Sequence, residues 1–105
     1  MTFHNSSSQA NFADSLPFVV NNNYWVVTTI GNFDADQKLG YYYAKLTLSA
    51  LCNPHQCALL LLGWIAESQI KYSTAADRDI REAFWHQIAL AAMNGIINQQ
   101  QREET

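Results

Sequence analysis

The sequence predicts a mainly helical α+β domain, an N-terminal β-hairpin followed by three α-helices with the middle helix buried; an all-α fold is the alternative. The tetrapeptide Asn53-Pro54-His55-Gln56 interrupts the apolar stretch from Leu39 to Ala66. An acceptor side chain, proline at the next position and glutamine three residues after the acceptor are typical of a helix N-terminus. One helix should therefore end here and another begin. Residues 18–30 are rich in β-branched and aromatic side chains, which favour strands.

The predicted hairpin comprises residues 18–20 and 24–30. Between them lies Asn21-Asn22-Asn23, whose side chains tolerate turn conformations. The second strand would carry bulky side chains on both faces, and an isolated two-stranded hairpin is marginal in water. We therefore expect it to pack on the helices or to pair with a second copy. A helix starting near Asn23 is the competing interpretation.

The first predicted helix runs from about Ala35 to Cys52. Asp34 is a suitable N-cap, and Gln37 follows it at the spacing of a capping box. Apolar positions recur every three or four residues, which indicates one buried stripe. The stripe comprises Leu39, Tyr42, Tyr43, Leu46 and Ala50.

The second predicted helix follows the break at Asn53 and runs to about Lys71. From Cys57 to Ala66 it is apolar almost all round, as buried helices are, so we expect it to form the centre of the core. Gly63 is expected to permit close approach of another helix.

The third predicted helix starts at Thr74, with Asp77 at the capping-box position. Its apolar stripe predicts packing against the second helix. The apolar stripe of this third helix comprises Ile80, Phe84, Ile88 and Ala91.

The whole chain, residues 1–105, is expected to be a single domain with a mobile arm over about 1–11 and a frayed tail over about 98–105.

The composition predicts a protein that associates with another protein or with a second copy of itself. Apolar residues make up 49% of the chain, whereas Asp, Glu, Lys and Arg make up 14%, against about 25% in a typical soluble domain. Interface centres are poor in charge and rich in Tyr and Trp, so we expect this exterior to meet a protein partner or a second copy. The net charge of −3 favours a basic partner. The six Lys and Arg are scattered, which argues against nucleic-acid binding.

Neither a secretory signal nor a membrane span is visible in the sequence. The N-terminus lacks a positive region followed by an apolar one. The longest apolar run, Cys57 to Ala66, falls short of the roughly 20 residues that cross a bilayer. We therefore expect a cytoplasmic protein without membrane contact. In a reducing compartment Cys52 and Cys57 are expected to be small core residues.

Two groups of residues partly match metal-binding patterns. Cys52, His55 and Cys57 would supply three zinc ligands, but a structural site needs four. The fourth would have to be His4 or His86, brought in by the fold. We therefore predict no metal site here.

The spacing of Asn32, Asp34 and Asp36 resembles the first three positions of a calcium loop. Gln37 occupies the position of the turn glycine and Tyr43 that of the bidentate glutamate, so the motif is incomplete. Capping of the first helix accounts for the acidic residues instead.

A catalytic motif is equally incomplete. Glu82 and His86 lie four residues apart on the third helix, the nearest approach to a base with a carboxylate partner. Such pairs are common by chance, and no glycine-rich phosphate loop is present. We predict no enzymatic activity and no cofactor; a small-ligand site or enzyme around His86 would require a closed pocket containing the imidazole.

The sequence therefore predicts a non-enzymatic protein-binding module. The specific hypothesis is a small acidic inhibitor or immunity-type protein that blocks a basic toxin or nuclease. The alternative is a homo-oligomeric structural or accessory protein of phage or plasmid type, such as a homodimer. Acidic side chains and exposed aromatic anchors would carry binding. The predicted partner-binding residues are Asp77, Asp79, Glu82, Trp25, Tyr41 and Trp85.

Overall fold

The computed structural model describes residues 16–52 and 58–104, with side chains over 16–52 and 60–95. The described residues form three α-helices: α1 (Phe33–Leu51), α2 (Ala58–Tyr72) and α3 (Arg78–Glu104). A 3₁₀ turn, Ala75–Asp77, leads into α3. In the part that the structure describes no strand is formed, so the fold is all-helical and the predicted α+β class is wrong.

The predicted hairpin is replaced by a turn and an extended segment. The turn forms around Asn21, which has a φ of 56°, and Val20 and Asn23 exchange two backbone hydrogen bonds of 3.0 Å. Beyond the turn, one backbone bond, from Val26 N to Phe18 O at 2.7 Å, still links the two predicted strands. The competing prediction of a helix near Asn23 is also wrong, because α1 begins only at Phe33.

The strand ladder does not continue because side chains of the helices take up the backbone donors of this segment. The amide of Tyr24 donates to Ser68 Oγ of α2 at 2.9 Å. The amide of Ile30 donates to Asp36 Oδ1 of α1 at 2.7 Å, and the Thr29 hydroxyl donates to the same carboxylate. Polar side chains of two helices therefore hold the segment in the extended form.

The helix start signals are partly confirmed. Thr74 caps the turn before α3, and Asp77 completes the predicted capping box. The predicted N-cap of α1, Asp34, is wrong: the cap is Asn32, whose side chain accepts from Ala35 N at 3.2 Å. Asp34 lies inside the first turn, where its charge still favours the helix dipole. The predicted cap at Asn53 lies outside the described residues.

The middle helix is not buried all round as predicted. A single stripe of α2 is buried, comprising Leu61, Ile65, Ser68 and Gln69. On its other side Leu60 is 57% exposed and Ile70 86% exposed. The main helix pair is α1 with α3, and α2 packs on it more lightly.

The close approach of α1 and α3 depends on Gly40. A Cβ at this position would lie 2.8 Å from the Cβ of Ala83, and closer still to the Ile80 carbonyl oxygen. A Cβ at Gly63 would meet no atom within 4 Å. The predicted packing role of Gly63 is therefore wrong, and Gly40 has that role.

An aromatic cluster forms the centre of the core. Phe18, Trp25 and Phe84 have ring centroids 5.2–6.0 Å apart, in the tilted and edge-on arrangements that aromatic pairs prefer. Tyr43 of α1 joins it, 5.0 Å from Phe18. The segment predicted to be a hairpin thus supplies core side chains. The other buried apolar residues of the cluster are Leu16, Val19, Ala44, Leu61, Ile65 and Ile80.

Within residues 16–52 and 58–104, no helix is long and apolar enough to cross a membrane. The predicted single domain remains a prediction. Its mobile arm, residues 1–11, lies outside the described part of the chain. The tail expected to fray, 98–105, belongs to α3 as far as Glu104.

Candidate functional site

A groove runs between the N-terminal halves of α1 and α3, with a cavity volume of about 240 Å³. Its lining residues recur every three or four positions on each helix, so helical periodicity brings them to the two facing edges. We call it the α1–α3 groove. It is lined by Phe33, Gln37 and Tyr41 from α1 and by Asp79, Glu82, Ala83 and His86 from α3.

The α1 edge of this groove is aromatic. Phe33 is the first residue of the helix and is 60% exposed. Tyr41 is half-buried, and its hydroxyl accepts a hydrogen bond of 3.1 Å from Gln37 Nε2. That bond holds the phenol along the groove, and the exposed Phe33 ring adds apolar contact area beside it.

The α3 edge is acidic. Asp79 is half-buried and Glu82 is exposed. Glu82 Oε2 accepts from Arg78 Nε at 3.1 Å, and the two side chains are 61% and 67% exposed. Exposed pairs at this spacing contribute about 0.3–0.5 kcal/mol, so a cation from another protein can replace Arg78 at little cost.

His86 is exposed and lies in the open α1–α3 groove rather than in a closed pocket. No hydrogen bond or ion pair connects its imidazole to another described side chain. The carboxylate of Glu82 is directed to Arg78 instead. The pairing of base and carboxylate that general-base catalysis needs is therefore not formed between these two residues.

The six predicted partner-binding residues lie in three different places. Tyr41, Asp79 and Glu82 meet in the α1–α3 groove. Trp25 is 2% exposed, inside the aromatic core, so it is not available as a surface anchor. Asp77, in the turn before α3, and Trp85 of α3 do not line the groove, and each has an intramolecular partner.

Asp77 is 7% exposed and accepts from Arg81 Nη1 at 2.8 Å. Trp85 Nε1 donates to Gln69 Oε1 of α2 at 2.6 Å. Both partners line a second concave site between α2 and α3, with a cavity volume of about 480 Å³, which we call the α2–α3 cleft. Sequence reasoning missed it because Gln69 and Trp85 are 16 residues apart on different helices.

Phe33 and Gln37 were also missed as groove residues. Gln37 lies four and Phe33 eight residues before Tyr41, so all three share one face of α1. This spacing identifies them as groove residues only once α3 is known to pack beside that face.

The residues of the two metal-like sequence patterns have other roles, as far as the structure describes them. Asn32 caps α1, Asp34 lies in its first turn, and Asp36 accepts hydrogen bonds from the extended segment, so each residue of the calcium-like pattern has a role in attaching or starting α1. Cys52 is exposed, contrary to its predicted place in the core. His55 and Cys57 lie outside the described residues. Within the described ranges, 16–52 and 58–104, no three His, Cys, Asp or Glu side chains come together in a way suited to a metal ion.

Comparisons with known proteins add no relative from which function can be inferred. No protein-family model matches this chain, and neither a curated protein nor a solved structure matches it. The geometry of the groove and of the cleft is therefore the basis for a functional proposal.

Proposed function

We propose that this chain is a non-enzymatic protein-binding module that docks a basic partner on the α1–α3 groove. The supporting observation is the meeting of Asp79 and Glu82 with Tyr41 and the exposed Phe33 in one groove. Rigid aromatic side chains supply contact area at low entropic cost, and carboxylates orient a cationic partner and speed its association. The net charge of −3 attracts a basic protein at longer range.

The size of the groove favours a protein side chain as its occupant. Its volume of about 240 Å³ is below the roughly 300–1,000 Å³ of drug-sized ligand sites. It suits one Lys or Arg anchor of a partner, packed along Tyr41 and paired with Glu82. An open groove of this kind fits a small inhibitor or immunity-type protein that covers a toxin or nuclease in the cytoplasm.

The first experiment is affinity capture of the tagged protein from its native lysate, followed by measurement of the solution mass of the complex. We expect a stoichiometric basic companion protein. Recovery of the chain without a companion, or with an acidic one, contradicts the proposal.

The decisive variant is Glu82→Lys, with Glu67→Lys as its matched control. Both glutamates form an exposed (i, i+4) pair, Glu82 with Arg78 and Glu67 with Lys71 at 3.0 Å. The hydrogen bond that the Lys71 ammonium donates to Glu67, together with the charge of Glu67, raises the pKa of Lys71 above its ordinary value. The two charge reversals therefore disturb the fold to a similar, small extent, but only Glu82 lines the groove.

Glu82→Lys should weaken binding to the captured partner by about tenfold or more, with most of the loss in the association rate at low salt. Glu67→Lys should leave the dissociation constant within about twofold. Equal losses for the two variants, measured by calorimetry, would assign the effect to overall charge and contradict docking in the groove.

A second candidate function is the homo-oligomeric structural or accessory protein of phage or plasmid type. It is favoured by the exposed side of α2, where Leu60 is 57% and Ile70 86% exposed on either side of the ion pair between Glu67 and Lys71. A second copy could cover this side. A solution mass equal to one chain at micromolar concentration contradicts this function, whereas a stable dimer without a companion protein favours it.

A further inference from the structure

The two carboxylates of the α1–α3 groove differ in their partners. Glu82 is exposed and paired with Arg78. Asp79 lies in the first turn of α3, is half-buried and lines the groove. No described side chain donates a hydrogen bond to it or forms an ion pair with it. The groove therefore holds one accessible carboxylate that no described neighbour neutralises, and a charge partly withdrawn from water favours a partner of opposite sign.

An unused acceptor lies on the opposite edge of the groove. Gln37 Nε2 donates to the Tyr41 hydroxyl at 3.1 Å, whereas Gln37 Oε1 accepts no hydrogen bond from the described residues. The amide oxygen on α1 and the carboxylate of Asp79 on α3 thus face the same cavity. Acceptors on two edges suit a guanidinium, which spreads its N–H donors over a plane, better than a compact ammonium.

The remaining side chains of the groove include flat rings. The Phe33 ring is 60% exposed, the Tyr41 ring is half-buried, and the His86 imidazole is exposed. A guanidinium stacks its plane on such rings and is more weakly hydrated than an ammonium, so it loses less on leaving water. The rings therefore favour arginine over lysine as the cation in the groove.

We propose that the α1–α3 groove selects an arginine side chain of the basic partner in preference to lysine. This inference rests on the proposed function and names the side chain that occupies the groove. The guanidinium pairs with Asp79 and donates to Gln37 Oε1, and its plane packs on the rings of Phe33 and Tyr41. Glu82, already paired with Arg78, steers the cation at the rim.

The test is an NMR titration of the full chain with three short peptides at low salt and at about pH 8, where imidazole groups are neutral. The peptides are acetyl-glycyl-arginyl-glycinamide and its lysine and citrulline counterparts; citrulline has a similar shape to arginine but no charge. We expect saturable shifts of the Gln37 side-chain amide and the Asp79 backbone amide with the arginine peptide. The lysine peptide should bind about two- to fivefold more weakly, the worth of an exposed cation–π contact.

The three peptides also give the contrary outcomes. Absence of saturable shifts at the groove with the arginine peptide overturns the inference. Equal affinity for the arginine and lysine peptides overturns the selection of arginine. Equal affinity for the arginine and citrulline peptides overturns the pairing with Asp79.

Two variants locate the charge and the ring contact. Asp79→Asn should weaken binding of the arginine peptide by about fivefold or more, because a charge-assisted hydrogen bond is lost. Asp34→Asn makes the same change in the first turn of α1, outside the groove lining, and should leave the affinity within about twofold. Equal losses overturn the location of the site. Phe33→Leu keeps an apolar side chain without the ring and should reduce the preference for arginine; an unchanged preference overturns the stacking.

These outcomes separate the inference from the proposed function. If a basic companion is captured and its binding depends on Glu82, but the arginine and lysine peptides bind equally, the docking function stands and the selection of arginine is wrong. If the arginine peptide binds preferentially but no basic companion is captured, the arginine site stands and the docking function is wrong.

Discussion

At the scale of single residues, Asp36 explains how the N-terminal segment is attached to the helices. Its side chain is 4% exposed, and its carboxylate accepts from the Ile30 amide and the Thr29 hydroxyl. Hydrogen bonds to a charged acceptor contribute more than neutral ones. One carboxylate thus holds the segment that supplies Phe18 and Trp25 to the core.

We predict that Asp36→Ala lowers the free energy of unfolding by about 1–3 kcal/mol, because the Ile30 amide and the Thr29 hydroxyl lose the buried carboxylate that accepts their hydrogen bonds. Asp34→Ala is the matched control, since Asp34 is an exposed acidic residue in the same first turn. It should cost no more than about 0.3–1 kcal/mol, the worth of a favourable dipole interaction. Urea unfolding of both variants measures the difference; equal losses would contradict the anchoring role of Asp36.

Among the helices, the sequence predicted the start signal at Thr74, but it did not predict which neighbours each helix contacts. The Thr74 capping box was found because its signal is local. The hairpin was wrong because β-propensity describes fit to a half-buried surface, and here that surface is provided by helices carrying Ser68 and Asp36. Likewise, α2 is apolar on all sides in the sequence, but the sequence does not show which element packs on each side. In the structure one side of α2 stays exposed.

The sequence also assigned helix packing to Gly63, whereas the structure assigns it to Gly40. Alanine substitutions at the two positions should therefore change stability in opposite directions. Gly40→Ala should destabilise the domain by about 1–3 kcal/mol, because the added Cβ meets Ala83 and the Ile80 carbonyl across the α1–α3 contact. Gly63→Ala should stabilise it by about 0.5–1 kcal/mol, because alanine is the better helix former and its Cβ meets nothing within 4 Å. Thermal unfolding distinguishes them, and a destabilised Gly63→Ala would contradict the packing of α2.

At the scale of the whole molecule, the aromatic core joins the N-terminal segment to the helices. Phe18 and Trp25 come from the segment, and Phe84 from α3, while Leu61 and Ile65 extend the cluster from α2. The sequence identified these residues as apolar and bulky, but it did not separate Trp25, which is buried, from Tyr41, which lies on the groove. Both are aromatic residues in charge-poor surroundings, and only the tertiary contacts distinguish them.

Because Trp25 is buried and Tyr41 lies on the groove, substitution by alanine should have different effects at the two positions. Trp25→Ala should cost about 3–5 kcal/mol through lost packing and a cavity, a large share of the roughly 5–15 kcal/mol that stabilises a domain. The near-ultraviolet circular dichroism of the whole cluster should weaken, and the melting temperature should fall by about 10 °C or more. Tyr41→Ala should keep the melting temperature within a few degrees and reduce capture of the basic partner. If Tyr41→Ala unfolds the domain while Trp25→Ala does not, the core and the groove have been assigned to the wrong aromatic residues.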